Sequence, residues 1–195
     1  MTFVIATGNA GKLREMTALL CELDITAVSM RDAGVDIAVD ETGATFYDNA
    51  LLKAKTLCET TGMPAIADDS GLMVDALDGA PGVHTKRYGG GNLDEESTYL
   101  YLLEQMRDME QRDAKFVSSI VCYFPSGNII SANGECFGSI TTQPKGDGGF
   151  GYDPVFQVAG TTMTMAELSP DEKNAVSHRG AAMREFATLL RKAAL

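Results

Sequence analysis

Thr2-Phe3-Val4-Ile5-Ala6-Thr7-Gly8-Asn9-Ala10-Gly11-Lys12 decides the fold class. Thr2 to Ala6 is a short, almost wholly apolar run, the pattern of a buried strand. Gly8 ends it. From Ala10 to about Glu22 the apolar residues Leu13, Met16, Leu19 and Leu20 recur at helical spacing. Ile25 to Val28 then reads as a second strand. Strand, turn, helix and strand in this order begin an α/β arrangement.

Further along, Thr45-Phe46-Tyr47-Asp48 has a capping-box pattern and opens a helix to about Thr61, with Phe46, Ala50, Ala54 and Leu57 on one side. Gly62 and Pro64 close it. Ala65 to Ala67 is a short apolar strand running into Asp68-Asp69-Ser70-Gly71. Gly79 to Gly91 is a Gly/Pro-rich loop. Leu93 to Gln111 has a helical pattern with Leu100, Leu103 and Met106 as its core face. Phe116 to Phe124 and Ile129 to Ile140 are strands, joined by the hairpin turn Pro125-Ser126-Gly127-Asn128. Gln143 to Pro154 is a second glycine-rich loop. Ser169-Pro170-Asp171-Glu172 caps a further helix. The last helix, from about Gly180 to Ala193, turns Met183, Phe186, Leu189 and Leu190 inward. With no clean linker, residues 1–195 read as one mixed α/β domain around a sheet that contains a long hairpin.

The 195 residues carry 16 Lys+Arg and 27 Asp+Glu, a formal net charge of −11. A surface this acidic disfavours nucleic acid and anionic membranes as partners. Any bound anion must be met by a local cationic pocket, a metal, or both. No run of about 18 apolar residues marks a membrane span, and no secretory signal pattern is present, so a cytoplasmic location is expected. Cys21, Cys58, Cys122 and Cys136 form no CxxC pair, and only two His accompany them, so free thiols are expected rather than zinc.

Five segments are polar or glycine-rich without a core reason. Thr7-Gly8-Asn9-Ala10-Gly11-Lys12 sits between strand and helix, where N–H groups and the helix dipole suit a phosphate. It is not a Walker A loop, whose spacing differs. Asp40-Glu41-Thr42-Gly43 precedes a helix on which Asn49 and Lys53, at i and i+4, share a face. Asp68-Asp69 follows a buried strand, where two carboxylates need a cation or donors; Mg²⁺ takes carboxylate and phosphate oxygens. Gly146-Asp147-Gly148-Gly149-Phe150-Gly151-Tyr152-Asp153-Pro154 matches GxGxxG by spacing only. Pro154 excludes the helix that the dinucleotide motif opens, so the loop is read as presenting Phe150 or Tyr152 to a flat ring. Lys173, Asn174, Ser177, His178 and Arg179 bring cationic and titratable groups to a helix junction, suited to phosphate or a base carbonyl. Each segment alone also reads as a cap, a solvated face or a turn. Together they describe a nucleoside triphosphate with Mg²⁺.

These same segments, in this order and over essentially the full length, resemble the inosine/xanthosine triphosphate pyrophosphatase family. The resemblance implies a mixed, elongated central sheet with flanking helices, forming two lobes around a central cleft. It implies hydrolysis of ITP, dITP and XTP between the α and β phosphates by a Mg²⁺-dependent homodimer. Carried across, Thr7 to Lys12 and Lys53 cradle the triphosphate. Glu41 and Asp69 bind Mg²⁺, and Asp69 also accepts a proton. Ser70 contacts substrate. Phe150, Gly151, Tyr152, Asp153, Lys173, His178 and Arg179 contact the nucleoside. Lys86, before Arg87-Tyr88, and Tyr152 depart from the family's usual residues.

On this reading Lys12 and Lys53 neutralise the leaving pyrophosphate, Asp68 assists Asp69, and Arg179 donates to the C6 carbonyl that adenine lacks. Two other readings remain open: a pyrophosphatase for pyrimidine or modified nucleotides, and a nucleotide sensor without turnover. The adjacent carboxylates argue against the sensor.

Overall fold

The computed structural model describes residues 1–91 and 93–193. Its first strand, β1 (Thr2–Ile5), is buried on both faces, and its alternation sorts the chain around it. Phe3 and Ile5 pack with Met16, Leu19 and Leu20 of α1 (Ala10–Glu22) and with Ala182, Met183 and Phe186 of α5 (His178–Ala193). Val4 and the following Ala6 face the other way, onto Ala50, Ala54, Leu57 and Cys58 of α2 (Phe46–Thr61). A strand covered on both faces has no polar side to show, which is why it reads as a continuous apolar run.

β1 pairs in parallel with β2 (Thr26–Ser29), Thr2 opposite Thr26, and with β3 (Ala65–Val74), Val4 opposite Ala65. β4 (Asp113–Tyr123), β5 (Ile129–Ile140) and β6 (Phe156–Val158) complete a six-stranded sheet in the order β2-β1-β3-β4-β5-β6. β6 runs antiparallel to β5, so the sheet is mixed, as expected. Local signals set the helix ends. The Asn9 side chain accepts from the Lys12 N–H at the start of α1. The Thr45–Asp48 capping box opens α2, and Gly62, at φ +69°, closes it. Ser169 and Glu172 form the box of α4 (Pro170–Val176), and extended Ser177 separates α4 from α5.

The chain divides into two compact units. The first holds residues 1–69, 118–134 and 178 onward, with cores on both faces of its sheet. Gly134 of β5 is required there: a Cβ would lie 2.1 Å from the His178 carbonyl oxygen and 2.4 Å from the Ala182 nitrogen. The second unit holds residues 70–117 and 135–177. Its core includes Leu72, Val74, Leu102, Met106, Phe116, Tyr152, Phe156 and Met165, with the Phe116 and Phe156 rings 4.6 Å apart.

Four sequence expectations are corrected. β3 does not stop at Ala67; it continues through the two aspartates, because Leu72 and Val74 reach a core of their own. The Leu93–Gln111 helix is α3 (Glu95–Gln105), started by the Asp94 side chain accepting from Ser97. Of the expected core face, Met106 at the C-cap is buried and Leu103 packs partly buried on the core, but Leu100 is 45% exposed and Leu102 takes its place. The Gly79–Gly91 segment contains a 3-10 turn at Gly82–Arg87, and β6 follows the second glycine-rich loop.

Candidate active site

Period-two alternation points Asp68 and Asp69 to opposite faces of β3, and this divides their work. Asp68 is fully buried on the side of α1 and α5. Its Oδ2 lies 2.8 Å from Lys12 Nζ and 3.1 Å from Arg179 Nη2, and Ser118 of β4 donates to its Oδ1. The other end of the Arg179 guanidinium donates to Glu15, one turn after Lys12 on α1. Burial alone raises the Asp68 pKa. Arg179 and Lys12, with the hydroxyl of Ser118, outweigh it and hold this carboxyl well below its usual range. Burial in turn lowers the Lys12 pKa against the pull of Asp68, with Arg179 and Lys53 adding to the drop.

Asp69 lies on the α2 side. Lys53 Nζ stands 3.0 Å from Asp69 Oδ1, 2.7 Å from Glu41 Oε1 and 2.9 Å from the Asp68 carbonyl oxygen. Asn49, one turn earlier on α2, donates to Asp69 Oδ2 at 3.2 Å. Two carboxylates thus converge on one ammonium. Burial raises the Asp69 pKa and Glu41 adds to it, against Lys53 and Lys12; the net direction is upward. Lys53 is lowered by burial, but Asp69 and Glu41 more than reverse this, so it stays charged.

Among the described residues no three His, Cys, Asp or Glu gather as a ready metal cage. The donor set nevertheless suits a hard divalent cation. Such ions bind one or two carboxylates and complete their shell with water and substrate phosphate. Glu41 and Asp69 already meet at a single cationic point.

The turn before α1 stands at the N-terminal end of that helix, where Asn9 accepts from Lys12 and Thr7 from Asn9. A Cβ at Gly8 would meet nothing within 4 Å. Neither packing nor a left-handed backbone requires this glycine, which fits a loop that a ligand approaches closely. Gly11 is buried and Ala10 exposed.

The second unit carries its own polar cluster. Lys173 donates to Asp153 Oδ2 at 2.5 Å, and its ammonium lies 4.6 Å from the Phe150 ring centroid. The Phe150 N–H donates to the same carboxylate oxygen. Gly149 is at φ +73°, and a Cβ there would lie 2.0 Å from Asp153. The Gly151 N–H donates to Glu95. Tyr152 is 4% exposed in the core, its hydroxyl donating to the Thr85 carbonyl. Of the two aromatics considered for a flat ligand, the half-buried Phe150 is therefore the better placed. Ser70 follows Asp69 in β3 and is half-buried, and His178 is buried at the first turn of α5.

The structure thus gathers Lys12, Glu41, Lys53, Asp68, Asp69 and Arg179 in the first unit, and Phe150, Asp153 and Lys173 in the second. Sequence reasoning missed Glu15 and Ser118. Glu15 sits at i+3 from Lys12, a usable signal, but its partner Arg179 is 164 residues away. Ser118 is an ordinary strand serine until the fold places Asp68 beside it.

A model of the Ham1 family matches residues 3–189. The chain is 48% identical to the dITP/XTP pyrophosphatase of Geobacter sulfurreducens, over 92% of each chain. It is 46% identical to that of Shigella flexneri, over 96% of this chain and 97% of the relative. A solved HAM1 protein from Coxiella burnetii superposes with a TM-score of 0.88 at 39% identity, covering 98% of this chain and 99% of the other.

Proposed function

The chain belongs to the Ham1 family, and from that premise we propose that it hydrolyses the deaminated purine triphosphates ITP, dITP and XTP to monophosphate and pyrophosphate. Such an activity keeps these nucleotides out of nucleic acids. The convergence of Glu41 and Asp69 on Lys53 is the observation that carries the reading. This is a two-carboxylate donor set beside a cation.

Glu41 and Asp69 would hold Mg²⁺, which when bound polarises phosphate oxygens and neutralises their charge. The rest of the chemistry belongs to the chain. Water attacks, and the bond between the α and β phosphates breaks. The proton of the water passes to the Asp69 carboxylate, the general base; such a base contributes roughly 10²–10⁴-fold. Lys12 and Lys53 stabilise charge on the departing pyrophosphate, with Thr7, Gly8, Asn9, Ala10 and Gly11 as the phosphate turn. Ser70 contacts the substrate.

Asp68 takes neither role in this proposal: its oxygens are engaged by two cations and a hydroxyl. On the base side, Phe150 supplies a stacking face, with Gly151, Tyr152 and Asp153 shaping its loop. Lys173, His178 and Arg179 supply donors for the C6 carbonyl. We place the enzyme in the cytoplasm, as a homodimer of one 195-residue domain.

Turnover of ITP, dITP, XTP, GTP, ATP and dUTP, read as released pyrophosphate with and without Mg²⁺, tests the proposal. The expected result is Mg²⁺-dependent release from the first three. Equal rates on ATP and ITP defeat selection through the C6 carbonyl. Preference for dUTP favours a pyrimidine enzyme, and binding without release favours a sensor.

A further inference from the structure

We propose that Asn49 is the positioning residue for the Glu41–Asp69 pair, a role that rests on the metal reading above. Asn49 is 2% exposed, so each of its amide contacts is made without water. Its Oδ1 accepts the Gly43 N–H at 2.7 Å. Its Nδ2 donates to Asp69 Oδ2 at 3.2 Å. The orientation of this amide is fixed by chemistry. A backbone N–H needs an oxygen opposite it and a carboxylate needs a donor, so a flipped amide would lose both bonds.

The two bonds join the Glu41 segment to β3, alongside the bridge that Lys53 makes between Glu41 and Asp69. Gly43 ends the segment that carries Glu41, two residues away. It packs so tightly that a Cβ would lie 2.7 Å from Asn49 Oδ1 and 2.9 Å from its backbone nitrogen. Asp69 comes from the middle of β3. Asn49 therefore sets the height of the Glu41 segment over α2 and the rotation of the Asp69 carboxylate at the same time. Lys53, one turn on, receives both carboxylates where Asn49 has placed them. The partner of Asp69 opposite Lys53 is thus a neutral donor, which orients the carboxylate without adding a second charge. Residues that orient metal ligands in this way typically matter about 10–100-fold in metal affinity or activity.

The test is calorimetric titration of the substrate-free protein with Mn²⁺, as a spectroscopically convenient stand-in for Mg²⁺, alongside melting temperature and steady-state kinetics on ITP. Asn49→Ala is expected to weaken Mn²⁺ binding about ten-fold or more. Mn²⁺ affinity within two-fold of the parent in a folded Asn49→Ala protein overturns the role of Asn49. Absence of Mn²⁺ binding to the parent, with metal-independent turnover, overturns the metal reading itself and this proposal with it. Asn49→Asp supplies a second variant of the same size. It keeps an acceptor for Gly43 and removes the donor to Asp69. It is expected to lower kcat at least ten-fold at saturating metal, with KM for ITP within about three-fold. Parent-like kcat in that variant also overturns the proposal.

Discussion

Asp68 and Asp69 are neighbours in sequence and opposites in environment. Asp68 is neutralised by Lys12 and Arg179, whereas Asp69 shares a single Lys53 with Glu41. Replacing Asp69 by Asn should lower kcat for ITP by about 10²-fold or more while leaving the fold intact. Retention of activity within a few-fold in pyrophosphate release would remove Asp69 as the base. Asp68 governs stability instead. Its folded pKa lies below its unfolded value, so its contribution is complete above about pH 4 and disappears as pH falls through the folded pKa. Asp68→Asn should therefore melt well below the parent at pH 7, with the gap closing progressively in acid below pH 4. Melting curves of both proteins across pH 2–8 check this, and a gap independent of pH contradicts it.

At the scale of elements, the site depends on how closely β5 meets α5. The missing Cβ of Gly134 lets the strand approach the His178 carbonyl and the Ala182 nitrogen, and both are backbone atoms that cannot swing aside. Gly134→Ala should destabilise the first unit by about 1–3 kcal/mol or more, as overpacking does, in urea unfolding. It should also lower activity, because Arg179 lies in the first turn of the helix that is pushed. Unchanged stability would mean that α5 shifts freely. The helix boundaries were legible beforehand where a local signal exists: Asn9, Thr45–Asp48, Gly62 and Ser169–Glu172 act within three or four residues of themselves. The extent of β3 was not legible. A pair of aspartates looks like the end of a strand until Lys12, Arg179 and Lys53, brought from three helices, make it the middle of one.

For the whole molecule, the net charge of −11 sets the large partners apart from the small one. Duplex DNA should show no binding by fluorescence anisotropy at physiological salt, while a triphosphate is turned over; submicromolar DNA binding would contradict the charge argument. The membrane expectation is narrower: no helix among the described residues is long and apolar enough to span a bilayer. The sequence by itself determined the α/β class and the capped starts of α1, α2 and α4, because caps, glycines and hydrophobic periods act over short distances. Only the tertiary structure decided which aspartate has its charge balanced by two buried cations and which shares one lysine with Glu41. It alone tied Glu15 to Arg179, Ser118 to Asp68 and Asn49 to both halves of the carboxylate pair. The physical reason is sequence separation. A buried charge takes its properties from whatever the fold places within 3 Å of it, and those partners lie up to 164 residues away.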